Sequence, residues 1–408
     1  MAQALLTKKG GGYSTVKFEN YEWNDIIELY PNITSSGSSR WFLAATTVGD
    51  YALFAGGWNS NTVTRVYSTV DAYDKSLTRS TPVALSQARA NLAATTVGDY
   101  ALFAGGDNPA QLNNKTYYST VDAYDKSLTR STPTALSRAR ANLTATTVGD
   151  YALFGGGVDS SSSLSPVDAY DTSLTQSTPT ALSVARYNLA ATTTGNYAFF
   201  AGGFGSSEAR STVDAYNSSL TRSTPKVLSV ARYHIAATTV GDYALFGGGY
   251  IGTAHTSYST VDAYDTSLTA SVTYNLSQPK YYAGATTVND RAFFLGGLYV
   301  SYNANNYVQV NTTRTLDVYT PSLEVSRWMI ATRLDYPVGV AIGDYALFGM
   351  TNMALITKGF ESHVYQNCKY KFQHMTNEAT VTELHQRIGI PTPATGYIKF
   401  KNTTISNT

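Results

Sequence analysis

The stretch Ala-Thr-Thr-Val-Gly-Asp-Tyr-Ala-Leu-Phe-Ala-Gly-Gly at residues 94–106 decides the fold, because it recurs along this chain of 408 residues. Near-identical copies occupy 45–57, 145–157 and 237–249, looser copies occupy 191–203 and 285–297, and a worn copy lies at 340–349. The central position, a tyrosine in six of the seven copies, recurs with a mean period of 49 residues between Tyr51 and Tyr345. Such a period indicates an array of supersecondary units, each of which buries its faces against its neighbours.

One repeat, residues 86–134, predicts four short antiparallel strands. Residues 91–97 and 100–103 flank a Gly-Asp turn of the type favoured in two-residue hairpins. Residues 119–124 predict the third strand, and 129–133 predict a weak outer strand whose proline suits a sheet edge. No helical period of comparable length is present, so each unit is predicted to be one blade of an all-β propeller.

Three features of the repeat resemble the Kelch motif: the Gly-Gly after the second strand, the Val-x-x-Tyr-Asp of the third strand and the Arg before the first strand. The match covers about 350 of the 408 residues, although Thr-Arg-Ser-Thr-Pro replaces the tryptophan usual in the outer strand. This resemblance implies a Kelch-type β-propeller. The near-identical repeats also resemble Kelch-repeat proteins encoded by Firmicutes of the gut and by their phages.

Seven pairs of first and second strands predict a seven-bladed ring that spans residues 13–366. Because Tyr-Ser-Thr-Val at 13–16 echoes the same residues at 67–70, we expect residues 13–30 to supply the third and fourth strands of the last blade. That pairing would close the ring and leave no open sheet edge. Two alternatives remain: residues 361–365 supply the third strand of the last blade, or the last copy is degenerate and the ring has six blades.

The two ends of the chain do not follow the repeat. Residues 1–12 are predicted to form a flexible N-terminal arm, and residues 367–408 a small β C-terminal extension with strands near 379–384 and 397–400. Such ends serve attachment or oligomerisation more often than catalysis, and a disordered tail is the alternative.

Composition argues against several classes of function. The net charge is +1 and 14% of residues are charged, which gives no bulk attraction to nucleic acid or to an anionic membrane surface. The single cysteine, Cys368, excludes an internal disulfide framework. No apolar stretch approaches the roughly 18 residues of a membrane span, and no signal peptide is evident. We therefore expect synthesis in a bacterial cytoplasm, no membrane insertion and no nucleic-acid partner.

The sequence favours no enzyme. The five histidines form no cluster with metal-ligand spacing, and no nucleophile elbow is present. The Gly-x-Gly strings precede no predicted helix, so a nucleotide site is not expected. Some Kelch-like propellers are copper oxidases that use a Cys–Tyr pair, but here the only cysteine lies in the C-terminal extension. We predict no catalytic residues, no metal and no cofactor.

Function is predicted to lie where the repeats differ. In a four-stranded meander, the turns between strands one and two and between strands three and four share one face, and they are nearly identical in every repeat. The loops between strands two and three share the other face with the links between blades; they vary in length and carry Trp, Tyr, Asn and Ser, which suit a binding surface. Trp58, Tyr250 and Tyr299 are the aromatic candidates for ligand contact, with drift of unconstrained loops as the alternative.

A cation recurs on the same face, 11 residues before the central position of each of the first six repeats. Such a series could surround the mouth of the central channel and bind an anion, an acidic side chain or an acidic sugar. Alternatively, each cation pairs with an aspartate of its own blade. The cations are Arg40, Arg89, Arg140, Arg186, Arg232 and Lys280, with Arg333 at a spacing of 12; the aspartates are Asp71, Asp122, Asp168, Asp214, Asp262 and Asp317.

Together with the resemblance, these features predict a non-catalytic recognition module. We expect a phage or prophage virion protein, in the tail or on the surface, that binds a host cell-surface glycan or protein through its variable loops. The arm at 1–12 and the extension at 367–408 would attach it to the virion or another large assembly. The alternatives are a purely structural decoration or spacer subunit of the virion and an intracellular bacterial adaptor that binds a protein.

Overall fold

The computed structural model describes residues 40–59, 65–109, 115–303, 305–329 and 334–349, together with the backbone of six further strands near the two ends of the chain. The described residues contain strands, turns and bends but no helix, so the all-β prediction is confirmed. The chain divides into two compact units. The larger unit lies within 28–327 and 332–359, and the smaller unit within 1–27, 328–331 and 360–408.

The larger unit is a β-propeller in which six sheets have the four strands of a complete blade, hydrogen-bonded in chain order. Blades 1 and 2 comprise Ala44–Val48, Tyr51–Ala55, Val70–Asp74 and Arg79–Ser80, then Ala93–Val97, Tyr100–Ala104, Val121–Asp125 and Arg130–Ser131. Blades 3 and 4 comprise Thr144–Val148, Tyr151–Gly155, Val167–Tyr170 and Gln176–Ser177, then Ala190–Thr194, Tyr197–Ala201, Val213–Asn217 and Arg222–Ser223. Blades 5 and 6 comprise Ala236–Val240, Tyr243–Gly247, Val261–Tyr264 and Ala270–Val272, then Gly284–Val288, Arg291–Leu295, Thr315–Tyr319 and Val325–Met329.

The prediction of seven complete blades is wrong, because the last copy of the repeat forms a three-stranded sheet. That sheet comprises Val338–Ile342, Tyr345–Gly349 and Leu355–Lys358. Its first strand contacts the first strands of blades 6 and 1, and its Val340, Ile342 and Leu347 pack with Phe54 and Tyr73 of blade 1. This shorter sheet therefore closes the ring. The described residues contain no fourth, outer strand for it.

The N-terminal strands do not close the ring, contrary to the prediction. Ser14–Phe18 lies in the smaller unit, between Cys368–Lys371 and Thr403–Asn407, and pairs antiparallel with both. His363–Tyr365 pairs with Tyr21–Trp23, so it is not the third strand of the last blade either. The expected propeller bounds of 13–366 are therefore too wide at both ends. The predicted β extension has two strands in the smaller unit, while the arm at 1–12 and the expected strands near 379–384 and 397–400 lie outside the described residues.

Paired threonines join neighbouring blades, and they account for the recurrent Thr-Thr of the first strand. The hydroxyl of Thr147 in blade 3 donates to the carbonyl oxygen of Thr96 in blade 2 (2.5 Å) and lies 2.8 Å from the hydroxyl of Thr95. The same arrangement recurs at each interface from blade 1 to blade 6. In the three-stranded sheet Val340 and Ala341 occupy the two positions, so this threonine ladder does not continue through it.

The Gly-Gly that ends each second strand lets adjacent blades approach closely. Gly105 has φ +67°, and a Cβ added there would lie 2.7 Å from the carbonyl oxygen of Arg140 in the next blade. The following residue, Gly106, donates its backbone N–H to that same oxygen at 2.9 Å. A side chain at Gly105 would therefore push two blades apart.

Candidate binding face

The loops between strands two and three lie on the same face as the links between blades, as predicted. In the six complete blades, the link residue that follows the recurrent cation forms a β-bridge with the first residue of the loop in its own blade, as Trp41 does with Trp58 and Tyr233 with Tyr250. Short hairpins then extend the loops of five blades. The longest hairpin, Leu298–Tyr302 with Val308–Thr312, belongs to blade 6. We call this surface the variable face.

The recurrent cations do not line this face, and the predicted ring of free positive charge is wrong. Arg89, Arg140 and Arg186 are fully buried within their blades, as are Arg232 and Lys280, and Arg40 is 5% exposed. Each makes an ion pair with the aspartate of its own blade, for example Arg140 Nη2 with Asp168 Oδ2 at 2.6 Å and Lys280 Nζ with Asp317 Oδ2 at 2.8 Å. Arg333 lies outside the described residues. The alternative of structural pairing therefore accounts for the series.

The geometry of these pairs explains why both residues recur. The cation spans its blade from the first strand to the third, and Arg140 Nη2 also donates to the carbonyl oxygen of Phe154 at 3.1 Å. Asp168 additionally accepts hydrogen bonds from the backbone N–H and hydroxyl of Ser137. Burial lowers the pKa of the Arg140 guanidinium, and the charge of Asp168 opposes that shift. These charges stabilise the blades and are not accessible to a ligand.

Seven half-buried side chains, one from each copy of the repeat, form an inner ring around one end of the central channel. Six of them have left-handed backbone conformations, with φ between +52° and +55°, which is uncommon for residues other than glycine. Backbone hydrogen bonds between neighbouring repeats account for this conformation: Asn142 donates its N–H to the carbonyl oxygen of Asn91 at 2.9 Å, and four more such bonds run from Phe42 to Tyr282. The inner ring consists of Phe42, Asn91, Asn142, Asn188, His234, Tyr282 and Tyr336.

The inner ring surrounds a cavity of about 240 Å³. Its remaining walls come from the next residues along each link, which are mostly aliphatic, such as Leu92, Leu143 and Ile235. None of the residues that line the cavity is Asp, Glu, Lys or Arg. The cavity is therefore an uncharged recess with amide, imidazole and phenol groups at its rim.

The inner ring has two chemically different halves. Asn91, Asn142 and Asn188 are consecutive on one side, and the rings of His234, Tyr282, Tyr336 and Phe42 follow on the other. His234 lies 3.7 Å from Tyr282, and Tyr336 lies 4.9 Å from Tyr282 and 4.8 Å from Phe42, measured between ring centroids.

Aromatic side chains continue outward from the second half as an unbroken series that we call the aromatic arc. Neighbouring centroids along it are 4.8 to 6.4 Å apart, within the range of favourable aromatic pairs. All but Tyr281 are half-buried, so the arc presents ring edges and faces to solvent. Blades 2 and 3 contribute none of its members. The arc consists of Trp41, Trp58, Phe42, Tyr336, Tyr282, Tyr281, Tyr250, Tyr233, Phe204 and Tyr187.

The polar half is organised by a buried carboxylate. Asp107, fully buried at the start of the loop of blade 2, accepts a hydrogen bond from Asn91 Nδ2 at 2.9 Å and pairs with Lys115 Nζ at 2.6 Å. These contacts fix the orientation of the Asn91 amide. The Asn142 amide makes no hydrogen bond with any other described side chain or backbone group, so its donors and acceptor remain available at the rim.

His234 is an uncharged member of the inner ring at neutral pH. Desolvation lowers the pKa of its imidazole to about 3, because Asn188 and the rings of Tyr233, Tyr281 and Tyr282 enclose it. Burial also raises the pKa of the Tyr282 and Tyr336 phenols. The ring side chains therefore offer hydrogen bonds and apolar surface but no net charge.

The three aromatic candidates predicted from the sequence have different surroundings. Trp58 and Tyr250 lie in the aromatic arc, Trp58 against Trp41 (6.0 Å) and Tyr250 stacked on Tyr281 (4.8 Å). Tyr299 lies on the long hairpin of blade 6, half-buried and outside the arc. Sequence reasoning missed the inner ring itself, although its members all lie nine residues before the central position and vary in chemistry while their surroundings repeat.

The opposite face, which we call the turn face, is uniform. Its Gly-Asp turns contact the turn between strands three and four of the same blade, as shown by the exposed ion pair between Asp50 and Lys75 at 2.5 Å. In that second turn, Asp74 Oδ1 accepts hydrogen bonds from the backbone N–H of Ser76 and of Thr78, and five further copies of the turn repeat this pattern or a close variant of it. This face has few differences from which a specific site could be built.

The described residues contain no cluster of His, Cys, Asp or Glu suited to a metal ion. They also include no helix that is long and apolar enough to cross a bilayer.

Comparisons with known proteins support the fold. No protein-family model and no curated protein matches the sequence. Among solved structures 545 chains match, so the architecture is widespread and does not by itself indicate one activity. One of them is the structure of YjhT, a propeller protein, with a TM-score of 0.51 and 12% identity over 66% of this chain and 93% of that one. At this identity the likeness shows a β-propeller and nothing finer.

Proposed function

We propose that this protein is a non-catalytic recognition module that binds a glycan on a host cell surface through the variable face. The observation that carries the proposal is the aromatic arc, which gathers aromatic side chains on the one face where the repeats differ. Aromatic rings offer large contact area at low cost in conformational entropy, and they stack on the apolar faces of sugar rings. On the turn face the half-buried tyrosines beside the Gly-Asp turns, such as Tyr51 and Tyr100, repeat from blade to blade, and among the described residues they form no such series of neighbouring rings.

The resemblance of the repeats to the Kelch motif supports a Kelch-type assignment for the blades. Their resemblance to repeats of gut Firmicutes and their phages supports a virion setting, with the protein in the tail or on the surface of the particle. In that setting many copies face the same cell, and weak individual contacts add up to firm attachment. The smaller unit, with its sheet of terminal strands, would then supply the attachment to the particle.

A glycan array probed with the full-length protein tests the proposal. The wild-type protein is expected to bind a subset of host-type glycans. Changing Trp58, Tyr250 and Tyr299 together to Ala is expected to reduce that signal at least tenfold. Because Trp58 packs against Trp41, retention of a cooperative thermal transition must be verified for this variant.

The matched control changes the turn face through Asp99→Lys and Asp150→Lys, both at exposed turn positions. This variant is expected to bind like the wild type. If the control variant loses binding while the triple variant retains it, the site lies on the turn face and the proposal is wrong. Attachment to host cells that survives glycan removal but not protease treatment would identify a protein receptor, and binding to neither would favour a structural subunit or an adaptor.

A further inference from the structure

We propose that the inner ring is a subsite for a single uncharged sugar ring, held at the mouth of the channel between the asparagine half and the aromatic half. This inference rests on the glycan-binding function proposed above and specifies the class of ligand at its centre. It also departs from the acidic ligand that the recurrent cations suggested, because those cations are buried in ion pairs inside the blades.

The size of the cavity favours a small ligand. Its volume of about 240 Å³ lies below the roughly 300–1,000 Å³ typical of pockets for drug-sized molecules. One pyranose unit matches such a space. The absence of Asp, Glu, Lys and Arg from its lining disfavours a charged ligand, which would lose its hydration without gaining a partner.

The asparagine half matches the hydroxyl edge of a sugar. Each amide provides donors and an acceptor on neighbouring atoms, and each sugar hydroxyl likewise donates and accepts. Asn91 is held in one orientation by Asp107, and the Asn142 amide is half-buried without a partner among the described residues. A ligand that forms a hydrogen bond with the Asn142 amide supplies the partner that the described part of the protein does not.

The aromatic half matches the C–H face of the same sugar. Phe42, Tyr336 and Tyr282 follow one another directly across the cavity from the three asparagines. A flat ring lying between the two halves would contact aromatic carbon on one side and amides on the other. A pyranose presents both hydroxyl groups and a C–H face, so it can match both halves, whereas a purely apolar ligand can match only the aromatic half.

The backbone of the inner ring pre-organises the subsite. Left-handed φ values at Phe42, Asn142 and Tyr282 are held by the hydrogen bonds between successive repeats. Because the blades fix these bonds, the direction in which each side chain leaves the backbone is set before binding and no backbone rearrangement is needed, which favours affinity for a small ligand.

The test is a titration of the full-length protein with methyl glycosides, followed by NMR. The panel contains methyl glucoside, galactoside, mannoside and N-acetylglucosaminide, with methyl glucuronide as the charged counterpart of the glucoside. We expect at least one neutral glycoside to bind with a Kd on the order of 1 mM, as its size allows, and the glucuronide to bind at least fivefold more weakly than the glucoside.

Asn142→Gly removes the amide without adding backbone strain, because glycine accepts φ +53° freely. It is expected to weaken binding of the neutral glycoside at least fivefold. Asn289→Gly is the matched control, since Asn289 has φ +48° in a turn between strands one and two on the turn face. That variant is expected to bind like the wild type.

Three results would overturn the subsite: no neutral glycoside binds, the two glycine variants bind alike, or the glucuronide binds more tightly than the glucoside. If polymeric glycans still bind through Trp58 and Tyr250 while Asn142→Gly has no effect, the subsite fails and the proposed function stands. If no glycan of any length binds, the proposed function fails with it.

Discussion

At the scale of single residues, the structure separates charges that hold the blades together from groups that face a ligand. The Arg–Asp pairs are buried, and the arginine of blade 3 contacts its aspartate through a single nitrogen. Arg140 uses Nη2 alone, while its Nε and Nη1 have no partner among the described residues. Lys280 occupies the equivalent position in blade 6 and also makes two contacts, to Asp317 and to the carbonyl oxygen of Thr315 at the start of the third strand. The position therefore requires one buried cation rather than a guanidinium.

This geometry predicts different outcomes for two substitutions of Arg140. Arg140→Lys should lower the free energy of unfolding by less than about 1.5 kcal/mol, because lysine retains the pair and removes unsatisfied donors. Arg140→Met should lower it by about 3–5 kcal/mol, because Asp168 is then left as a buried unpaired charge. Urea denaturation of both variants measures the difference. Equal losses would contradict the assignment of a single-contact pair.

His234 predicts a dependence of stability on pH. The folded protein holds the imidazole with a pKa near 3, below its value of about 6.5 in the unfolded chain, so the unfolded state binds more protons between these pH values. The stability contributed by neutral His234 is therefore complete above pH 6.5 and decreases as the pH falls below it. No neighbouring side chain in contact with it, Asn188, Tyr233, Tyr281 or Tyr282, changes charge in this window.

His234→Asn should flatten this profile, since asparagine occupies the same ring position and backbone conformation in three other repeats. The wild type should lose about 2 kcal/mol more than the variant between pH 7 and pH 4.5. Unfolding free energies measured across this range supply the comparison. Parallel profiles for the two proteins would show that His234 is not held in its neutral form.

At the scale of structural elements, the threonine ladder is the joint between blades. Thr147→Val removes a hydroxyl that contacts both Thr95 and the backbone of Thr96, and we expect a loss of about 1–2 kcal/mol. Thr95→Val removes one side of the same contact. In a double-mutant cycle the two losses should sum to more than the loss of the double variant, because the hydrogen bond is shared. Strict additivity would mean that the hydroxyls do not interact.

The elements that the sequence predicted well are those with local signals. Strands one to three and both types of turn follow from short runs of small and β-branched residues, from the Gly-Asp turn, from the aspartate-rich turn after the third strand (Asp125-Lys-Ser in blade 2) and from Gly-Gly, all of which act within a few residues. The third strand of the last sheet was missed because Leu355–Lys358 lacks the Val-x-x-Tyr-Asp signal of its counterparts. The echo of Tyr-Ser-Thr-Val at 13–16 was a misleading guide, since Ser14–Phe18 pairs with Cys368–Lys371 instead.

The candidate site was harder to predict for a physical reason. The cations and aspartates recur with equal regularity, and only packing decides whether two such series meet in the core or point into solvent. The three-dimensional neighbours of the inner ring come from links about 49 residues apart, so no local pattern brings Phe42, Tyr282 and Tyr336 together. The sequence shows that these residues share a fixed offset from the central position, but only closure of the ring brings them around one cavity.

At the scale of the whole molecule, the repeated residues form a closed ring, and the residues that differ between repeats lie on one face of it. Six complete blades and a three-stranded sheet form the ring, and the buried ion pairs, threonine ladder and Gly-Gly contacts are nearly the same from blade 1 to blade 6. The links and loops of the variable face differ from blade to blade, with asparagines gathered on one side and aromatic rings on the other. A propeller built in this way presents one asymmetric surface on a nearly symmetric body.

The central claim, that recognition occurs on the variable face, is tested most directly by hydroxyl-radical footprinting with and without the strongest glycan from the array. Tyrosines of both faces are half-buried, so their labelling can be compared within one protein. We predict that the glycan protects Trp58, Tyr250 and Tyr336 while Tyr100 and Tyr151, beside the Gly-Asp turns, are labelled as before. Protection of Tyr100 and Tyr151 with unchanged labelling of the aromatic arc would contradict the account.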